Sequence, residues 1–263
     1  MTNIYKPKLL IFQSLLLAVF ALAFLSGCGR TQELSTQELL NHALKEASKG
    51  EWDVALGYLE TATDREPDNV AALVFKAIAL EGCDKYELAL NVARKAAKIS
   101  PKNFWAQYTL GRLYSKELGK MQDAVSPLLR ALQLKPGDAN TLLLLGRCSS
   151  ALKLDSAIKY YKELSTKRQF KKRAELWNEM AIYYAERGQV NQAASCIVKA
   201  YKLAPSNPMI VLNFATFVDQ YAKDPKMALK YYRKFLRLTM PTPSFEAQYN
   251  RVKARIEKIT SNG

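Results

Sequence analysis

The sequence of 263 residues is poor in histidine and cysteine, two residue types that often bind metals or take part in catalysis. Histidine occurs once, as His42, so no second imidazole can share a metal ion or a proton with it. No two of the four cysteines have Cys-x-x-Cys spacing, so neither a zinc site nor a redox pair is predicted. Gly119-Lys120 lacks the following Ser or Thr and the upstream glycine of a phosphate-binding loop. We therefore predict no catalytic residue, no metal site, no cofactor and no enzymatic activity.

Six alanines recur along the chain at an almost constant interval. They stand 33 to 36 residues apart, as Ala55, Ala89, Ala124, Ala157, Ala193 and Ala228. A period of about 34 residues is typical of helical repeat arrays, in which each unit is one helix pair. Such arrays present extended surfaces to other molecules, so the period predicts a binding function.

Most units share one order of residues around this alanine. A turn residue and a bulky residue precede the alanine, and a proline closes the unit, as Pro67 and Pro205 do. Proline cannot continue a helix, and alanine lets two helices approach closely. Glycine suits a left-handed turn, because it has no Cβ atom. We expect such a turn at Gly50, Gly119 and Gly188.

The first helix of each unit has a phrase of its own, such as Leu110-Gly111-Arg112-Leu113-Tyr114. Together with the alanine and the proline, this pattern resembles the tetratricopeptide repeat (TPR) family. The resemblance implies an all-α fold, a right-handed α-solenoid of about six helix pairs. The six units span residues 36–69, 70–103, 104–138, 139–166, 174–207 and 208–241. An amphipathic helix over residues 244–260 is expected to cap the array.

The amino terminus has the pattern of a secretory signal peptide. Lys6 and Lys8 precede an apolar run over residues 9–25, which is marginal in length for a transmembrane helix. We predict a signal peptide over residues 1–27, and a plain signal anchor is the alternative.

The end of this run, Leu25-Ser26-Gly27-Cys28, resembles a bacterial lipobox. The resemblance implies cleavage between Gly27 and Cys28, lipidation of Cys28, and a tether over residues 28–35. Gly29, in place of Asp, is similar to lipoproteins sorted to the outer membrane. We therefore expect a lipid-anchored protein of the bacterial cell envelope, in the outer membrane and facing the periplasm.

Positive charge is concentrated in the second half of the chain. Residues 28–158 contain 17 Lys and Arg against 16 Asp and Glu, whereas residues 159–263 contain 20 against 8. A basic patch replaces the closing proline of the fourth unit, where it also predicts a longer or kinked junction: Lys167, Arg168, Lys171, Lys172 and Arg173. The patch either attracts an anionic lipid or polymer or is a solvated face. Nucleic acid is not an expected partner of an exported protein.

The resemblance also implies that the first helix of each unit lines a concave groove for a protein or peptide partner. The side chains expected there are Phe75, Trp105, Tyr108, Arg112, Arg147, Asn178 and Asn213. Arg112 and Arg147 each follow a glycine of the repeat phrase, so they could clamp one carboxylate. Alternatively, Trp105 packs between units and the arginines pair with carboxylates of the chain itself.

These features together predict a membrane-anchored TPR scaffold for protein–protein interactions in envelope assembly. The layout is similar to that of the type IV pilus pilotin lipoproteins, which help secretins assemble. One alternative is an electrostatic tether that binds anionic lipids or polymers through the basic half. Another is a cell-wall enzyme or its regulatory subunit.

Overall fold

Helices account for the regular structure of residues 33–240 and 242–261, the part of the chain described by this computed structural model. Fourteen α-helices, one 3-10 turn and one π turn occur there, without a strand. The predicted all-α fold is therefore confirmed. The predicted signal peptide, the lipidation site Cys28 and its cleavage bond lie outside the described residues.

The helices follow one another in pairs, one pair within each of the six predicted units. In chain order they are α1 (Thr36–Lys49), α2 (Trp52–Arg65), α3 (Val70–Gly82), α4 (Tyr86–Ile99), α5 (Phe104–Tyr114), α6 (Met121–Leu134), α7 (Ala139–Ala151), α8 (Ala157–Thr166), α9 (Arg168–Lys171), α10 (Ala174–Glu186), α11 (Val190–Leu203), α12 (Pro208–Phe217), α13 (Pro225–Thr239) and α14 (Glu246–Ser261). The 3-10 turn Leu118–Lys120 precedes α6, and the π turn Val218–Ala222 follows α12.

Besides the six repeats, two larger compact units can be distinguished among the described residues, with the boundary between Cys148 and Ser149. The first unit contains α1 to α6 and most of α7. The second contains the end of α7 and the helices α8 to α14. Within each unit the two helices of a pair make the most extensive contacts, as α1 does with α2 and α10 with α11.

The six periodic alanines explain this pairing. Each is completely buried, at 0% exposure: Ala55, Ala89, Ala124, Ala157, Ala193 and Ala228. A larger side chain at these positions would separate the two helices, because interiors are close-packed. The interval of the alanines is thus the interval of the helix crossings.

Asparagine side chains begin several of the first helices. The Oδ1 atom of Asn69 accepts a hydrogen bond from the Ala72 backbone at 3.0 Å, and Asn103 does the same with Ala106 at 3.0 Å. Asn207 caps α12 in the same way. Such caps satisfy backbone N–H groups that have no partner within the helix.

Left-handed residues join the two helices of most pairs. They have φ angles between 52° and 90° and are Gly50, Asp84, Lys153, Gly188 and Lys223. The prediction of this conformation for Gly119 is wrong. The third connection passes through the 3-10 turn that contains Gly119, so no left-handed residue is needed there.

The junction between the fourth and fifth repeats is a four-residue helix, α9. Its Phe170 side chain is buried, and the Trp177 Nε1 atom donates to the Lys171 carbonyl oxygen at 3.1 Å. Helix α10 then begins after Arg173 without a side-chain cap.

Helix α14, which lies where a capping helix was predicted, packs against α13. Its Val252 side chain is buried, and the ring of Phe245, just before the helix, meets that of Phe235 edge-on.

Candidate functional site

Three residues of the first compact unit that were predicted to line the groove lie in the core of that unit. Phe75, Tyr108 and Arg112 are 5%, 4% and 4% exposed. The expectation that their side chains face a partner is therefore corrected. The register of the repeat located the helix but not the face on which each side chain lies.

A carboxylate that the sequence analysis missed explains the burial of Arg112. The two oxygens of Glu81, on α3, accept hydrogen bonds from the Nη1 and Nη2 atoms of Arg112, on α5, at 2.8 and 2.5 Å. The Lys116 ammonium forms a further ion pair with Glu81. Glu81 is the penultimate residue of the apolar helix α3 and its one acidic residue, and this isolated carboxylate was the sequence signal that could have indicated the ion pair. The alternative in which Arg112 pairs within the chain thus agrees with the structure.

The electrostatics of this pair favour its charged form. Burial raises the pKa of the Glu81 carboxyl, but Arg112 and then Lys116 outweigh burial and lower that pKa to about 2. The Arg112 Nε atom is buried without a hydrogen-bond partner among the described residues. Arg112 therefore belongs to a structural ion pair and cannot clamp a partner's carboxylate.

Trp105 and Arg147 remain accessible in the first unit. The half-buried Trp105 ring packs edge-on against Phe104 at 4.9 Å and Tyr108 at 6.3 Å. The Lys135 ammonium lies 5.8 Å from the centre of the Trp105 ring. The exposed Arg147 makes no ion pair with any described residue. The predicted clamp of Arg112 with Arg147 is therefore not formed.

In the second unit the structure brings the two predicted asparagines together. The Nδ2 atom of Asn213, on α12, donates to the Oδ1 atom of Asn178, on α10, at 2.9 Å. Asn178 is buried, whereas Asn213 is half-buried. The two first helices are thus joined through amides, and the Asn213 oxygen keeps its capacity to accept another hydrogen bond.

Asn213 lines a cleft formed by two adjoining cavities of about 180 and 540 Å³. Both are lined by Asn213, Thr216 and Gln220. We call the two cavities together the second-unit cleft. Its combined size is in the range of ligand sites, about 300–1,000 Å³.

The two cavities differ in chemistry. Apolar side chains such as Ile182 and Phe217 predominate around the smaller cavity, and the exposed Glu186 also lines it. Helix α14 lines the larger one with Gln248, Arg251 and Arg255. The cleft therefore combines an apolar end with a polar, cationic end.

An ion pair holds α14 at the larger cavity. Arg255 donates from Nε and Nη2 to the two oxygens of Asp219, both at 2.7 Å, and the Tyr232 hydroxyl donates to Asp219 at 2.9 Å. These bonds, led by that of Arg255, lower the pKa of Asp219. Both oxygens of this carboxylate therefore accept hydrogen bonds within the unit.

The basic patch lies apart from this cleft in the second unit. Lys167, Arg168 and Lys172 line an open cavity of about 660 Å³ together with Gln169. Arg168, Lys171 and Lys172 are exposed, and the Arg173 guanidinium lies 4.9 Å from the Phe170 ring centre. The predicted patch is thus a compact cationic surface around α9.

The described residues contain no group of three or more His, Cys, Asp or Glu side chains that could hold a metal ion. Cys83, Cys148 and Cys196 are free, and burial raises the pKa of each thiol. His42 stacks on Tyr58 at 5.2 Å. Across residues 33–240 and 242–261, every helix is too short or too polar to span a bilayer.

Comparisons with known proteins agree with this architecture. Residues 40–104 match the family described as Tetratricopeptide repeat. The fold resembles that of PilF from Pseudomonas aeruginosa, with a TM-score of 0.67 and 19% identity over 84% of this chain and 97% of PilF. No curated protein matches the sequence significantly.

Two further solved structures have the same fold. YrrB, described as a TPR protein with an unusual peptide-binding site, has a TM-score of 0.59 and 16% identity over 73% of this chain and 97% of its own. MamA has a TM-score of 0.56 and 20% identity over 62% of this chain and 94% of its own.

Proposed function

We propose that this protein is a membrane-anchored scaffold, because residues 40–104 match the tetratricopeptide repeat family and the fold over 84% of the chain resembles that of PilF. It binds a protein or peptide partner in the cell envelope and takes part in the assembly of an envelope complex. Repeat arrays of helix pairs serve most often as binding surfaces, which supports the first part of this proposal.

The second-unit cleft is the observation that carries the proposal. It lies along the first helix α12 and beside α10, and it includes Asn213 of the expected groove, whereas the buried Asn178 does not line it. Binding sites usually combine an apolar cavity with a few polar groups that point into it. YrrB, which has a similar fold, is described as having a peptide-binding site, and this supports a peptide as the occupant.

The envelope setting rests on the amino-terminal sequence. The lipobox-like residues Leu25 to Cys28 support lipidation of Cys28, and several acyl chains would hold the protein at a membrane. Gly29 supports the outer membrane, with the repeats facing the periplasm. The similarity of the sequence layout to pilotin lipoproteins and of the fold to PilF supports a pilus or secretin complex as the assembly.

Photocrosslinking in the native host tests the binding role. A benzoylphenylalanine residue at Gln220, inside the cleft, should give a light-dependent adduct with an envelope protein. The same residue at Leu203, exposed on α11 and outside the cleft lining, is the control. Equal adducts from both positions, or none from Gln220, would contradict the proposal.

The anchor has a separate test. Replacing Cys28→Ser should abolish labelling by radioactive palmitate and release the protein from the membrane fraction. Retention of the label would refute lipidation at Cys28.

An electrostatic tether is the second candidate function, favoured by the cationic cavity around α9. None of Lys167, Arg168, Lys171 and Lys172 has an ion-pair partner among the described residues. Their charge is therefore available to an anionic headgroup or polymer.

Vesicles test this candidate. Binding to phosphatidylglycerol-containing vesicles should fall steeply as salt rises and be lost when Arg168, Lys171 and Lys172 are changed to Glu. Reversal of Lys202, Lys226 and Lys258, which are exposed elsewhere in the second unit, alters the net charge equally. Equal losses in both triple variants would leave no role for this patch.

A further inference from the structure

Helix α14 does more in the structure than cover the end of the last repeat. It supplies Arg251 and Arg255 to the larger cavity of the second-unit cleft, four residues and thus about one helical turn apart. The capping helix therefore forms one wall of the candidate binding site.

The two arginines are in different electrostatic states. Arg255 is bound through two hydrogen bonds to Asp219, which also accepts the Tyr232 hydroxyl. Asp219 is the one carboxylate in the described lining of this cavity, and its charge is neutralised by Arg255. It therefore leaves the charge of a second arginine uncompensated.

Arg251 is that second arginine. Its Nε atom donates to the Ala247 carbonyl oxygen of its own helix at 3.3 Å, and it forms no ion pair with a described residue. The exposed side chain keeps the donors of its two terminal nitrogens for another molecule. A guanidinium with free donors fits a carboxylate through two parallel hydrogen bonds.

The remainder of the cleft suits an extended peptide. The Asn213 nitrogen binds Asn178, but the Asn213 oxygen makes no hydrogen bond with another described residue. The side-chain amides of Gln220 and Gln248 make none either. Such amides can both donate to and accept from a peptide backbone. Beyond them, Ile182 and Phe217 line the smaller apolar cavity.

We propose that the second-unit cleft selects an extended peptide segment with an acidic side chain at Arg251 and an apolar side chain in the cavity beside Ile182 and Phe217. This inference rests on the proposed protein-binding function and specifies its partner. The surrounding excess of positive charge, 21 Lys and Arg against 9 Asp and Glu over residues 149–261, would attract such a segment.

Selection from a phage-displayed library of random dodecapeptides, with the full-length protein in detergent, provides the probes. Displayed segments have no free carboxyl terminus, so an acidic preference would come from side chains. We expect the selected peptides to share an Asp or Glu at a fixed distance from an apolar residue. Each is then synthesised with an amidated end, both as selected and with the acidic residue changed to Asn or Gln.

Affinities from fluorescence anisotropy decide the assignment of Arg251. Arg251→Gln should weaken binding of the acidic peptide about tenfold to a hundredfold. It should not weaken binding of the neutralised peptide further, because the same interaction is already lost. Lys253→Gln removes a charge from an exposed residue of the same helix and should change affinity little.

The outcomes separate this inference from the proposed function. Selected peptides whose binding depends on Asn213 but not on Arg251 would overturn the inference and leave the protein-binding function intact. A loss from Lys253→Gln equal to that from Arg251→Gln would also overturn it, since only bulk charge would then matter. Failure to select any peptide would overturn both.

Discussion

In each of the two compact units, a polar contact joins the first helices of neighbouring repeats. The contact is an ion pair in one unit and an uncharged hydrogen bond in the other. In the first, Glu81 on α3 forms a buried ion pair with Arg112 on α5. In the second, an uncharged hydrogen bond joins Asn178 on α10 to Asn213 on α12. The ion pair engages both oxygens of Glu81 and both terminal nitrogens of Arg112, whereas the amide pair leaves the oxygen of Asn213, a residue that lines the cleft, without a partner among the described residues. One helical frame therefore supports either a closed core or an open cleft.

The charge balance follows the same division. Residues 33–148 contain 15 Lys and Arg and 15 Asp and Glu, whereas residues 149–261 contain 21 and 9. Basic and acidic side chains are equal in number in the first unit, whereas basic side chains outnumber acidic ones more than twofold in the second. The uncompensated charge of Arg251 and of the α9 patch is part of this excess. The difference favours the second unit as the place where an acidic partner binds.

The largest effect should come from breaking the ion pair of the first unit. Glu81→Gln leaves the Arg112 guanidinium buried without its counterion, so the unfolding free energy should fall by about 3–5 kcal/mol. Urea denaturation followed by circular dichroism measures this change. Glu87→Gln is the matched control, because Glu87 pairs with Lys120 at the surface and should cost about 0–1 kcal/mol. Similar losses from both variants would show that burial does not set the strength of the pair.

Acid should weaken the same pair without any mutation. The Glu81 pKa is lowered from its ordinary value of 4.5 to about 2 in the folded protein. Its contribution is therefore complete above pH 4.5 and is lost as the pH falls toward 2. Up to about 3 kcal/mol of stability should disappear across this interval. Denaturation midpoints between pH 5 and pH 2 should show a shallower decline in Glu81→Gln, and an unchanged decline would exclude Glu81 as the source.

A closer helix contact also distinguishes the first unit. A Cβ atom added at Gly111 would lie 2.6 Å from the Leu128 Cγ atom and 3.2 Å from its backbone nitrogen. The second unit has Ala181 at the equivalent point of the repeat phrase, so its helices already accommodate a methyl group. Gly111→Ala should therefore destabilise the protein by about 1–3 kcal/mol in thermal unfolding.

Gly57→Ala serves as the control for this change. Gly57 has open space around its position in α2, so alanine there should raise helix stability by up to about 1 kcal/mol. A neutral Gly111→Ala would mean that Leu128 moves aside without cost.

The repeated helices could be predicted well from the sequence, because each helix pair depends on residues within its own repeat. A small residue is needed wherever two helices cross, and Ala55 or Ala193 satisfies that need in each pair regardless of its neighbours. The repeat register also assigned Asn178 and Asn213 to one groove, but only Asn213 lines the cleft, because Asn178 is buried and accepts the hydrogen bond of Asn213.

The partner of Arg112 could not be read in the same way. Glu81 is one of many carboxylates, it lies 31 residues away, and its selection depends on which face of α3 is buried. The contribution of α14 to the cleft likewise depends on the contact between Arg255 and Asp219, 36 residues apart. Such contacts arise from packing between repeats, which the periodic pattern does not encode.

The smallest expected effect tests whether the two units share one frame. Asn103 caps α5 in the first unit and Asn207 caps α12 in the second, and each accepts a hydrogen bond from the backbone of the third residue of its helix. Because a cap acts within its own helix turn, Asn103→Ala and Asn207→Ala should each cost about 1 kcal/mol, despite the different charge of their surroundings. Urea denaturation of both variants measures the two costs. A clearly larger cost for one of them would show that the difference between the units extends into the helical frame, beyond the side chains that it carries.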